Sequence, residues 1–240
     1  MENKFSKFIN IKDKEESYYH IYFNYNKEEI KRNYLEENDE VRIIRIIIDH
    51  QVLFFNELFT GCTCIESIDF KKFYRNNIND MSYMFSGCSS LRKVNFSTFY
   101  NNNVKDISFM FCGCSLLEDV NLSNFKTNNL KNMSNIFLSC YSLKELDLSN
   151  FNTDNVTKMN CMFFGCSSLT KLNLSNFNFN KVKYLNGMFY GCYSLKEINI
   201  SNFNINNDSN LNGMFFKCSK ELKMNIRTKY KNIKEEAFFL

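Results

Sequence analysis

Apolar residues recur along this chain with a period of 26, and the pattern within each period has two parts. In the third copy Val104, Ile107, Met110 and Phe111 stand at i, i+3, i+6 and i+7, the spacing of one face of a short helix. Asn103 precedes that face, as Asn77 and Asn155 do in other copies. Asparagine there predicts a helix N-cap. Gly113, matched by Gly61, Gly87, Gly165 and Gly191, suits the left-handed residue that ends a helix. Ser139 and Lys217 replace that glycine in two copies, whose helices are expected to end less sharply. The second part is Leu117-Glu-Asp-Val-Asn-Leu-Ser-Asn-Phe125, whose apolar spacing predicts a short strand.

Cysteine marks the register. Cys62, Cys88, Cys114, Cys140, Cys166, Cys192 and Cys218 lie 26 residues apart without insertion, each three residues after a phenylalanine from Phe59 to Phe215. Seven copies in unbroken register predict a stacked array in which each repeat touches only its neighbours. The array is expected over residues 58–226, with a capping segment at 1–57 and a second cap at 227–240. A raw end would expose an unpaired strand edge and an open core, so caps are required. In the first cap, Asn26–Asn38 is rich in helix formers and predicts a helix, and Val41–Ile48 predicts a strand. The last copy inserts one residue between Cys218 and Leu222 before its expected strand, and Tyr230–Phe239 suits a short closing helix.

Composition changes this picture little. The chain has no Trp and no Pro, and 26 Phe and 13 Tyr supply the bulk of the core. Net charge is +4, with −3 on residues 1–57 and +7 spread over the rest, so no basic patch points to nucleic acid. The amino-terminal residues lack the apolar region of a secretory signal. The patch Val41–Ile48 is interrupted by Arg42 and Arg45, and no run approaches the ~18 apolar residues of a membrane span. No membrane insertion and a cytoplasmic location are expected, with the cell surface as the alternative. Asn95, Asn121, Asn173 and Asn199 each begin an N-glycosylation acceptor, which weakly favours a cytosolic protein or a bacterial source.

Chemistry is sparse. Seven cysteines at one repeat position predict a ladder of buried thiols rather than one activated thiol. The two histidines, His20 and His50, lie outside the repeats, so no metal site is expected. There is no glycine-rich phosphate loop and no nucleophile elbow, so neither a cofactor nor catalysis is expected.

Leu117, Val120, Leu122 and Phe125 spell L-x-x-L-x-L-x-x-F, which resembles the leucine-rich repeat consensus. That consensus has Asn or Cys at the last position. This chain has Phe99, Phe125, Phe151, Phe177 and Phe203 there, with Asn124, Asn150, Asn176 and Asn202 one residue earlier. The usual asparagine ladder is therefore replaced or re-registered. The phrase Leu143–Met159 and the block Met162–Leu169 resemble the BspA-like family of leucine-rich repeat surface proteins, over roughly Leu58 to Ile226. The resemblance implies an α/β repeat solenoid, a right-handed array of about seven turns, each with a short strand and a short helix. It also implies recognition or adhesion. Alternation along the strand turns three rows outward. They are Lys93, Asn95 and Ser97; Asp119, Asn121 and Ser123; Glu145, Asp147 and Ser149; Lys171, Asn173 and Ser175; and Glu197, Asn199 and Ser201. The charged row is read as alternating in sign, and the polar rows could either engage a partner or satisfy one another. A protein partner is expected, with a glycan as a further candidate, while the oligomeric state stays open.

Overall fold

The structure is a computed structural model that describes residues 5–12, 14–200, 203, 205–231 and 233–239. Coils of the array meet in parallel along three seams, two of which form over only part of its length. β5 (Ser67–Asp69), β7 (Lys93–Asn95) and β9 (Asp119–Asn121) form one parallel sheet in a register of one repeat. β6 (Phe73–Tyr74) pairs with β8 (Phe99–Tyr100), and β10 (Lys171–Asn173) with β11 (Glu197–Asn199). A third seam of single bridges runs Asp80, Asp106, Asn132, Lys158, Tyr184 and Asn210 without a break.

The helices expected in the repeats do not form, and the amide groups show why. The N–H groups of Met110, Cys112 and Cys114 close four-residue turns onto Ile107, Phe109 and Phe111. The intervening N–H groups of Ile107, Phe109, Phe111 and Gly113 leave the coil and bond the carbonyls of Asn132, Ser134, Ile136 and Leu138 in the next one, at 2.8–3.2 Å. An α-helix needs every N–H for its own carbonyl four residues back, and here every second one is spent on the neighbour. Consecutive four-residue turns place apolar side chains three and four apart, which imitates the helical period. Phe109 (φ 57°) and Gly113 (φ 74°) sit at the third turn position, where a type II turn requires positive φ. Ser139 and Lys217 adopt the same geometry at φ 60° and 58°. Nor are the asparagines helix caps. Asn77, Asn129 and Asn155 donate their side-chain amides to the carbonyls of His50, Asn102 and Asn128 in the preceding coil, at 2.7–3.1 Å, and Asn103 does the same to Asn76.

Side chains pile into columns. Phe59, Phe85, Phe111, Phe137, Phe163, Phe189 and Phe215 stack near-parallel with ring centroids 5.4–5.8 Å apart. Beside them the cysteine column is buried and unbridged. From Cys88 onward each thiol donates to the carbonyl of the phenylalanine in the coil before, at 2.9–3.1 Å. The asparagine ladder is re-registered rather than lost. Asn150 and Asn176 donate to carbonyls on both sides of the preceding bend, Leu122 and Phe125 for the first, Leu148 and Phe151 for the second. The freed last position holds the buried Phe99, Phe125, Phe151 and Phe177. Asn202 lies outside the described residues.

Both caps differ from expectation. In the first, β1 (Ser6–Lys7) pairs antiparallel with β3 (Tyr34–Leu35), and β2 (Tyr19–Phe23) with β4 (Ile44–Ile48). The strand expected at Val41–Ile48 forms over Ile44–Ile48 only. The helix expected at Asn26–Asn38 does not, because Ile30 N–H bonds the Ile21 carbonyl and Arg32 lies over the Phe23 and Tyr34 rings while pairing with Asp39. Phe8 and Ile9 close the core, and Asn10 bonds the carbonyls of Leu58, Glu57 and Thr60, standing in for a missing coil on the turn side. At the other end the last strand is replaced by helix α1 (Lys220–Lys229), so helical structure begins before residue 227. The inserted residue breaks the strand register, Ser219 Oγ accepts from Leu222 N–H as a cap, and Leu222 and Ile226 bury one stripe. The short closing helix is a 3₁₀ turn, Glu235–Phe238, whose carbonyls at Glu236 and Ala237 accept the N–H groups of Gly213 and Phe215. Phe238 extends the phenylalanine column, 5.7 Å from Phe215.

Candidate partner-binding face

The outward rows divide by chemistry once placed on the coils. Lys93, Asp119, Glu145, Lys171 and Glu197 are exposed and form the charged row. Asn95, Asn121, Asp147 and Asn173 form the second row, and Ser97, Ser123, Ser149 and Ser175 the third; Glu197 and Asn199 lie on β11, and Ser201 falls outside the described residues. The second and third rows are tied together within each coil. The side-chain oxygens of Asn95, Asn121, Asp147 and Asn173 accept the N–H of the serine two residues on, at 2.9–3.1 Å. Each is an Asx turn, which at Asn95, Asn121 and Asn173 finishes the strand, and this accounts for the residue type without a ligand. Hydrogen bonds from Ser149 hold the Asp147 carboxyl below the usual carboxylate range. Asn95 also donates across coils to Asp69 at 3.1 Å.

The charged row takes no part in these turns. Its alternation of sign is incomplete, because Asp119 and Glu145 are consecutive acids. Lys171 and Glu197 approach to 3.7 Å, and in the flanking row Arg92 and Glu118 approach to 2.9 Å. Exposed pairs of this kind contribute ~0–1 kcal/mol, so the row costs the fold little to retain or to change. The face is also interrupted. No strand is assigned at Glu145–Asp147 between β9 and β10, and Leu146 there is only half-buried. The five rungs expected as one sheet are therefore two patches meeting at two acids.

Sequence reasoning missed the aromatic groups of the turn side. Tyr83 stacks on Phe109 at 4.5 Å and Phe164 on Tyr190 at 4.3 Å, with Lys217 over the Tyr190 ring. The signal was present five and two residues before the cysteines, but reading that stretch as a helix hid which side chains face out.

These coils match a known family. A profile described as Mycoplasma protein of unknown function, DUF285, matches residues 53–146 and again 117–229. The chain belongs to the DUF285 family. A crystal structure of the T. pallidum leucine-rich repeat protein is similar in fold, with a TM-score of 0.53 and 20% identity over 81% of this chain and 84% of that one. That likeness establishes a repeat fold of the leucine-rich type. No curated protein matches the chain. Among the described residues, no helix of this DUF285 protein is long and apolar enough to cross a membrane.

Proposed function

We propose that this DUF285 protein is a non-catalytic recognition module that engages a protein partner through the charged row of its strand face. The observation behind this reading is the division of labour just described. The Asn and Ser rows complete the fold, whereas Lys93, Asp119, Glu145, Lys171 and Glu197 project from a rigid scaffold and serve no core purpose. Charges so arranged confer specificity and speed of encounter more than raw affinity. A non-catalytic role is consistent with the thiols, whose titration burial pushes to about 12 at Cys62, Cys88, Cys166 and Cys218, leaving them unreactive at neutral pH.

The block Met162–Leu169 favours a second reading, a surface-exposed adhesin of BspA-like type. Labelling of intact against permeabilised source cells with an antibody separates the two by location. The face itself is tested by reversing Asp119, Glu145 and Glu197 to lysine together. The wild-type chain should crosslink a discrete protein that the triple variant loses, with a melting temperature unchanged because exposed charges matter by only about 0.5 kcal/mol. A partner retained by the variant at full strength sinks the strand-face reading.

A further inference from the structure

The two ends of the solenoid are finished differently. At the carboxyl end, α1 takes the place of the last strand, and the Tyr230 hydroxyl donates to the Ile200 carbonyl at 2.5 Å. At the amino end, Asn10 completes the turn side, but no strand among the described residues completes the strand side. Among the described residues β5 pairs only with β7, and β4 only with β2. In later coils the N–H groups of Lys93 and Asp119 donate backwards to the carbonyls of Glu66 (3.3 Å) and Arg92 (3.1 Å). Ser67 is the equivalent residue of the first coil, and no coil precedes it.

The free edges of β4 and β5 face each other across a cavity of about 1000 Å³, the upper end of the ~300–1,000 Å³ usual for binding clefts. An unbroken run from Cys64 to Arg75 lines one wall, and Ile44, Ile46, Ile47 and Ile48 line the other. A sheet face would contribute alternate residues only, so these walls include strand edges. One end is pinned shut. The buried Arg75 guanidinium donates to the carbonyls of Ile48, Asp49 and Val52, and Asn77 donates to His50 at 3.0 Å. Of the charged side chains lining the cleft, Arg75 is spent on the clamp and Lys71 pairs with Asp69 at 2.5 Å, which leaves Arg42 and Lys72 against Glu66 and a small positive balance.

We propose that this cleft receives an extended, acidic segment of a partner protein, which adds as a strand to the open edge of β5. Unpaired strand edges are templates for such addition. Backbone hydrogen bonds to β5 would supply affinity, the isoleucines and Phe73 would take alternate apolar side chains, and the basic rim would meet acidic ones. The site is separate from the charged row of the strand face.

A synthetic peptide of residues 117–125, Leu-Glu-Asp-Val-Asn-Leu-Ser-Asn-Phe, is a suitable probe. It already forms a parallel strand in this fold and carries two carboxylates and no cation. Binding to the full chain should saturate, with new protection from hydrogen exchange confined to Ile44–Ile48 and Ser67–Asp69. Ser67→Pro removes an N–H that bonds no described residue and should weaken binding by at least about tenfold at an unchanged melting temperature. Should that variant misfold, Ile44→Glu sets a carboxylate on the opposite wall and should weaken binding of the acidic peptide by a similar factor. The Asp119, Glu145 and Glu197 reversal should leave peptide affinity intact, so the two sites fail independently. No saturation up to about 1 mM, equal affinity for Ser67→Pro, or occupation of the cleft by palmitate or a second copy of the chain in place of the peptide overturns the proposal.

Discussion

At the scale of single residues, the repeat is governed by which backbone positions need positive φ. Two such positions occur per coil, five residues and one residue before each cysteine. The second is mostly glycine, but the first holds Glu57, Tyr83, Phe109, Asn135 and Cys161 before becoming Gly187 and Gly213. Side chains there carry the cost of left-handed backbone, ~1–2 kcal/mol for an L-residue, because the adjoining N–H groups are committed to the next coil. Glu57 is exposed and has φ 62°. Glu57→Gly should therefore stabilise the protein by about 0.5–1 kcal/mol, the relieved strain being partly offset by the freedom glycine gains when unfolded. A helix at this position would give the opposite sign, a loss of about 1 kcal/mol. Urea titration of the two proteins measures the difference, and destabilisation by Glu57→Gly would count against the turn geometry.

At the scale of elements, the repeat period and the buried columns were legible in the sequence, because both depend on side-chain type at fixed spacing. Phe137, Cys140, Leu143 and Leu148 are all buried as that spacing implies. What was hidden is where the amide groups go. Val104, Ile107 and Phe111 keep the same inward direction in a turn run as in a helix, so periodicity could not separate the two, and the outward aromatics were lost with the misassignment. The interruption at Glu145–Asp147 likewise has no counterpart in the residue pattern, which continues through Leu143, Leu146 and Leu148. The one α-helix among the described residues arose where the register fails. Ser219 caps it, Glu221 sits in the first turn, and Arg227 and Lys229 sit in the last, all favourable to its dipole. Loss of the cap in Ser219→Ala should cost about 1 kcal/mol and, since α1 closes the open end of the stack, should loosen the last coil first. Hydrogen exchange at Glu197–Asn199 on β11, the strand that α1 follows, is the check: if its protection is unchanged while the rest of the protein loosens, α1 is not the closing element.

At the scale of the whole molecule, stability is a property of the columns, and the thiol column ties it to pH. Seven buried thiols lie along the array, and burial raises the titration of each. In the unfolded chain a thiol titrates near 8.5, whereas Cys62, Cys88, Cys166 and Cys218 are pushed to about 12. Between those values the unfolded state has released protons that the folded state still holds. Stability is therefore fully present below about pH 8.5 and falls as the pH rises towards 12. Each thiol contributes a slope of about 1.4 kcal/mol per pH unit, and seven together about 10. A domain typically has only about 5–15 kcal/mol to lose, so cooperative unfolding should set in within roughly one to two pH units above 8.5. Denaturant midpoints measured from pH 7 to 11 under reducing conditions should drop steeply past pH 9. Cys140→Ala should shallow the slope by one thiol, about 1.4 kcal/mol per unit, whatever it does to stability at pH 7. A midpoint that stays level to pH 11 would mean that the thiols ionise as freely in the fold as outside it, and the buried column would not be the seam that holds the coils together.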